Sequence, residues 1–468
     1  MNRKLLWLLL MAFMVWACGR AELSAGGGTI YQGNPSNYRT LLDMLGPGDT
    51  LELEAGTYTQ GLPLEDMNGN AAAPIIIRGP ITGTRARFTW RSCCNTISLR
   101  DSSYIEIYNL ELDGTGMTDS IDGVKAEGDA NWVHHITLEN LYIHDHDYTQ
   151  ETVGISTKAP AWDWIIRRNI IKDTGTGMYL GNSTGAAPFV RGLIEYNFVQ
   201  DTLGYNIQIK HQNPRPNLSG MPPDGSQTII RHNVFSKANN SATGADARPN
   251  LLVGHWPLSG TGMNDHYLIY SNFFYQNPTG EPLFQGEGHL ALYDNLFVNR
   301  NGGAVWIQPH NDVPRRVEVF NNTVVATATG IRLTGVNPSY SQYAAANAIF
   351  AATPLNLDGN VTAYDNVTGS YATATNYLVN PAAAPGNGLD LYPLVGVLSG
   401  SPINMTPFQS FSEWDEDFNS HPQPGIFRGA YGGEGTNPGW LPALERKPPP
   451  SPPFTPTDFA YLPLAVSR

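Results

Sequence analysis

The sequence predicts an all-β chain wound as a right-handed parallel β-helix, a solenoid of about ten or more rungs. A short apolar strand, an Asn and a second apolar pair recur at Asn109, Asn140, Asn169, Asn197 and Asn233, then at Asn272, Asn295, Asn322, Asn347 and Asn366. Their spacings run from 19 to 39 residues. That is the length of three short strands with their turns, so each Asn marks one rung, and stacked amides can bond from rung to rung. Composition agrees. Of 468 residues, 48 are Gly and 35 Pro, and charged residues make up only 15%, against about 25% in an average soluble protein. Many turns and few charges suit closely stacked strands, and an apolar share of 41% excludes wholesale disorder.

The elements follow in order. Arg3 and Lys4 precede an apolar run from Leu5 to Val15, too short to span a bilayer and typical of an export signal. Val15-Trp16-Ala17-Cys18-Gly19 resembles a bacterial lipobox with Cys18 as the acylated residue; cleavage without acylation is the alternative. Residues 1–18 are therefore read as a signal, and the mature protein is expected at the cell surface, in the periplasm or outside the cell. It would meet a membrane only through that anchor. Ser36 can cap a short helix whose Tyr38, Leu41, Leu42 and Leu45 would cover the first rung. The helix with this cap is assigned to 28–395.

Each rung divides into three strands. One precedes the Asn (Ile105-Glu106-Ile107), one follows it (Phe273-Phe274-Tyr275), and a third, often introduced by Gly, completes the turn. Among third strands, period-two alternation puts Ile207, Ile209, Leu251, Val253, Val305 and Ile307 inside. It puts Gln208, Lys210, Trp306 and Gln308 outside. Residues 396–440 read as an irregular closing region, 441–458 as a Pro-rich linker and 459–468 as an apolar tail. That tail is either a surface-retention segment or a strand on the helix edge.

Net charge is −13, which argues against a nucleic-acid partner. It also means that an anionic polysaccharide would need a local basic patch. The cysteines, Cys18, Cys93 and Cys94, form neither a disulfide framework nor a zinc spacing. Cys93 and Cys94 are expected to be two small buried thiols, with a vicinal disulfide as the alternative. A metal at His144-Asp145-His146-Asp147 is not favoured, because a turn is expected there, and His134-His135 reads as strand surface.

With its Asn ladder, its Gly48-Asp49-Thr50 to Gly56-Thr57-Tyr58 entry and its Arg428-Gly429-Ala430-Tyr431 ending, the chain resembles the pectate-lyase-like superfamily of parallel β-helix proteins. The resemblance covers about Gly28 to Gly435. It implies a groove on the third-strand face; that superfamily includes lyases, hydrolases, epimerases, esterases and non-catalytic surface proteins, so activity must be argued from residues.

Two long insertions, Gln212–Ser226 and Lys237–Pro249, would wall one rung pair of that face. Between them lie Lys210, His211 and His255, with Arg215 and Arg248 on the loops. Lys158, Tyr179, Gln208, Glu287, Trp306, Gln308 and His310 extend the face as substrate contacts. The set suits β-elimination of a uronate-containing polysaccharide. Cations neutralise the carboxylate and the developing enolate, and a crowded lysine is a base. Lys210 is the expected base, Arg215, Arg248 and His255 the neutralisers, and His211 or Tyr179 the acid.

Ile209-Lys210-His211 is placed like the catalytic lysine of the chondroitinase B and alginate lyase branch. Leu203–Gln208 lacks that branch's acidic calcium ligands, and Gly254-His255 stands where its arginine is expected. Calcium is therefore unsupported and the cofactor unknown. A glycoside hydrolase would need two facing carboxylates. That reading and a non-catalytic glycan-binding or surface β-helix are the alternatives. The partner is a polysaccharide or glycan, and a monomer is expected.

Overall fold

A computed structural model describes residues 27–128 and 132–450; Cys18, the signal and the apolar tail lie outside the described residues. The strands stack as three parallel sheets of 15, 12 and 11 strands, supplied in turn by the strand before each Asn position, the strand after it and the third strand. The chain is a right-handed parallel β-helix. Its core is filled by the alternate residues expected from the sequence: Ile207, Ile209, Leu251, Val253, Val305 and Ile307 are all fully buried. Inside, Phe274 stacks on Phe297 at a centroid distance of 4.6 Å, and Phe235 packs on Phe274 tilted at 5.0 Å.

The amide ladder runs unbroken from Asn169 to Asn366. Each Nδ2 donates to the Oδ1 of the next Asn at 2.9–3.0 Å, and that Oδ1 also accepts the backbone N–H one rung back. Asn109 and Asn140 are out of this register. They occupy the left-handed turn position, with φ of 59° and 54°, where later rungs carry Arg168, Tyr196 or His232. Buried Leu110 and Leu141 stand at the ladder position instead. The ladder thus has eight amides, not ten, and the Leu141 N–H opens it by donating to Asn169 Oδ1 at 2.8 Å. Gly154 and Gly177 are second in the third strands Val153–Thr157 and Thr176–Leu180, where a Cβ would sit 2.7 and 2.4 Å from a carbonyl oxygen of the next rung.

Tyr38–Leu42 is the expected short helix, with Tyr38 and Leu42 buried on the first rung. Ser36 is not its cap. Ser36 donates instead to Asn34 Oδ1, which gathers this turn. Cys93 is exposed and Cys94 half-buried, so these are not buried thiols. Residues 396–450 do not close the end of the solenoid. They run back along its side, where Phe408 and Phe411 cover the outward stack of Tyr270, Tyr293 and Phe320. The start of the Pro-rich stretch is docked as well. Lys447 is 4% exposed, and Arg446 donates to Asn140 Oδ1 and to the Arg168 carbonyl.

Candidate functional site

Among the described residues the C-terminal segment packs on the first and second sheets and leaves the third uncovered, and the register of that third sheet fixes which side chains are neighbours. Ser156, Tyr179, Gln208, Leu252, Gln285, Trp306 and Arg332 are successive partners on its outer side. Two residues further along each strand come Lys158, Gly181, Lys210, Gly254, Glu287 and Gln308. Rungs stack at ~4.8 Å, so Lys158 and Lys210 lie about 10 Å apart along the axis. Gly181 between them is in the left-handed region at φ 86°, and a Cβ there would press on the Lys210 side chain at 3.4 Å.

Tyr179 holds both cations. The Lys158 Nζ lies 3.2 Å from its ring centroid and the Lys210 Nζ 5.9 Å. Neither lysine has an ion-pair partner among the described residues. Burial drives the Lys158 ammonium down to about 8, against help from Asp122, and pushes Lys210 in the same direction. The Tyr179 phenol goes the other way, raised by burial to about 12. Around neutral pH the cluster thus offers a protonated phenol beside two amines that deprotonate more readily than usual. Gln208, next to Tyr179, is almost fully covered.

One rung on, His211 and His255 stack at 5.5 Å, and burial together with the neighbouring cations lowers His211 below its ordinary value. The two strands approach closely at Gly254, where a Cβ would lie 2.3 Å from the His211 backbone nitrogen. His255 Nδ1 faces the Trp256 carbonyl at 3.0 Å and Asp312 Oδ2 at 4.0 Å. Glu287 is 2% exposed; its Oε1 accepts the Asn311 N–H, its Oε2 has no partner, and burial raises its carboxyl. His310 is exposed on the loop beyond.

The two loop arginines are turned away from this cluster. Arg215 is buried, paired with Asp265 and bonded to the Pro222 and Pro223 carbonyls, so its charge is spent on holding its own loop. Arg248 donates to the Ala245 and Ala247 carbonyls, and its own carbonyl accepts the buried Lys237 ammonium. Asp224 caps the 262–264 backbone. Trp306 and Gln308 do share one spot, under Arg332, whose guanidinium carbon lies 4.7 Å from the Trp306 ring centre and whose Nη1 donates to Gln308 Oε1 at 3.2 Å. The sequence reading did not single out Arg332 or Asp312. Arg332 carries a signal, being the outward residue of the strand Thr329–Leu333, whereas Asp312 lies on a loop without periodicity.

A calcium ion needs six to eight oxygens. Beside Lys210 the nearest carboxylate in sequence, Asp201, is occupied by Asn239 and Gln200. Glu287 offers one carboxylate two rungs on, so the residues present do not fit such an ion. Among the described residues, one group has metal-ligand spacing, Glu111, Asp113 and His144, and it lies on the second sheet. His146, of the same His144–Asp147 run, is buried on the Ile121 carbonyl. A cavity of about 620 Å³ lined by Arg39, Asp43, Glu65 and Asn68 among others belongs to the N-terminal cap and not to the groove.

No protein-family model matches the chain. Over 170 residues it is 24% identical to a probable rhamnogalacturonase E of Aspergillus flavus, which covers 33% of this chain and 36% of that protein; the chain thus spans about a third of the length of that curated relative. Among solved structures it resembles an alginate lyase from Paenibacillus sp. str. FPU-7 (18% identity, 70% of this chain and 99% of that one, TM-score 0.44). It also resembles the GH136 lacto-N-biosidase of Eubacterium ramulus (13%, 74% and 68%, 0.46) and the A-module of a mannuronan C-5 epimerase from Azotobacter vinelandii (12%, 69% and 91%, 0.44). At these identities and scores the likeness adds nothing to what the three stacked sheets already establish: the chain is a parallel β-helix protein.

Proposed function

We propose that this chain is an exported carbohydrate-active enzyme that cleaves a uronate-containing polysaccharide by β-elimination on the third-sheet face. The observation that carries this reading is the Lys158–Tyr179–Lys210 cluster, two unpaired amines flanking one protonated phenol. Elimination needs a base for the proton beside the carboxylate, a cation to neutralise that carboxylate and a donor for the departing glycosidic oxygen. Lys210, beside the histidine pair, takes the proton as its neutral amine. Lys158 balances the carboxylate, and Tyr179 gives its proton to the leaving oxygen as the C–O bond breaks and the ring double bond forms. His211, held largely neutral, is the poorer donor. Glu287 and Asp312 around His255 favour a second reading, a hydrolase with Glu287 as its acid.

A panel of polyuronates, assayed for the ultraviolet absorbance of unsaturated products and for new reducing ends, separates the two. Unsaturated product from one polymer, lost in Lys210→Ala, is the expected outcome. Reducing ends without absorbance, lost in Glu287→Gln and kept in Lys210→Ala, would replace the lyase by a hydrolase. Neither signal on any polymer would leave a glycan-binding surface protein.

A further inference from the structure

The far end of the same face carries a cation that the proposed chemistry does not use. Arg332 is half-buried on the third sheet, and its guanidinium lies over the Trp306 ring. Its one hydrogen bond goes to an amide oxygen, Gln308 Oε1; its Nε is shielded and unpartnered, and among the described residues no carboxylate comes within ion-pair range. Other arginines without a carboxylate, such as Arg85, Arg248, Arg300, Arg315 and Arg446, donate to backbone carbonyls instead, whereas Arg332 has only the Gln308 amide. Arg191, Arg231 and Arg428 each hold a carboxylate. With Nε shielded and one Nη1 hydrogen on Gln308, the guanidinium over the indole still has Nη2 and the second Nη1 hydrogen for a carboxylate, which can take both in two parallel hydrogen bonds. The indole also offers apolar surface to a sugar ring.

The register sets the distance to the lysine cluster. From Gln208 the partners run Leu252, Gln285, Trp306, Arg332, four rungs or about 19 Å, and the three residues between carry no charge. Resting on the reading of this face as an acidic-glycan site, we infer that Arg332 on Trp306 is a distal carboxylate subsite. The groove then selects chains of acidic sugars long enough to reach from Lys210 to Arg332.

The test is a calorimetric titration of the full chain and of its Arg332→Ala and Arg332→Gln variants with oligouronates of graded length, from disaccharide to octasaccharide. Melting curves confirm that the variants are folded. Wild-type affinity is expected to climb with length and to step up once the oligomer spans the groove. In both variants that step disappears, a loss of about tenfold for the long oligomers, while the shortest that bind are unaffected. Equal weakening at every length would make Arg332 a packing residue, and an unchanged step would remove it from the site; either overturns the subsite and leaves the lyase reading standing. A wild type that binds no oligouronate of any length would overturn both.

Discussion

On the first sheet, beneath residues 396–450, Arg231 is held between Glu195 and Glu413, and His232 lies against Lys447 of that segment. On the third sheet, Lys158 and Lys210 stand half-buried with no carboxylate in ion-pair range among the described residues. Both faces carry outward cations and aromatic rings, so residue type alone does not distinguish them. What differs is satisfaction. The first sheet spends its charges on the C-terminal strap, and burying paired groups there fastens one part of the chain to another. The third sheet leaves two ammonium groups and one guanidinium with unused donors. A desolvated cation without a counter-ion costs stability, and a site for an anionic ligand is one use that such a cost serves.

The comparison breaks most sharply at Tyr179. If this face is catalytic, Tyr179→Phe keeps the ring under Lys158 and removes only the proton donor. Turnover on the active polymer should then fall ~10²–10³-fold, with a much smaller change in KM. The wild-type rate should also rise with pH along a limb whose apparent pKa lies below that of an ordinary lysine, because burial depresses Lys210 and the base acts as its neutral amine. Lys158, near 8, shapes the same profile, since protonated it neutralises the carboxylate and its loss limits the rate at higher pH. A phenylalanine variant with full turnover would return Tyr179 to the structural side of the comparison.

The next largest effect separates ladder from turn. Asn272 donates to the Ile230 and Tyr270 carbonyls and to Asn295 Oδ1, and accepts the backbone and side-chain N–H of Asn233. Asn272→Ala strands several buried groups and should cost about 3 kcal/mol or more in chemical unfolding. Asn109→Ala removes one half-buried amide from a left-handed turn and should cost about 1 kcal/mol. Equal costs would mean that Asn109 belongs to the ladder after all.

That pair also shows what was legible in the sequence. Rung after rung repeats one strand–Asn–strand pattern, and a repeat read ten times survives two misplacements, so the architecture and its inward and outward residues could be read directly. The same letter serves two backbone roles one position apart, which is why Asn109 and Asn140 looked like ladder members. Lys158, Tyr179 and Lys210 were found because strand alternation dictates where they point. Arg215 and Arg248 sit on loops, where no period sets direction, and both turned to nearby carbonyls and, for Arg215, to Asp265. The Pro-rich run fits an extended strap as well as a free linker, and only the partners of Lys447 tell them apart.

The smallest effect tests that strap. Burial pushes the Lys447 ammonium down to about 7, against the pull of Asp417, Glu413 and Asp294; its donors reach the Phe418 and Ser271 carbonyls and His232 Nδ1, the last at 3.1 Å. An unfolded lysine titrates near 10.4. Between those values the unfolded chain holds a proton that the folded chain has released, so the contribution of Lys447 to stability rises with pH from about 7 towards 10. Lys237, buried and depressed to about 7 as well, adds a rise of the same sign, and for that reason the wild type alone is uninformative. Lys447→Met keeps the buried stem and removes one titration. Measured by urea unfolding at pH 7 and pH 9, the variant should gain less stability than the wild type by roughly 2 kcal/mol. If both gain equally, Lys447 is solvated in the folded protein, and the first sheet is as open at that position as the third.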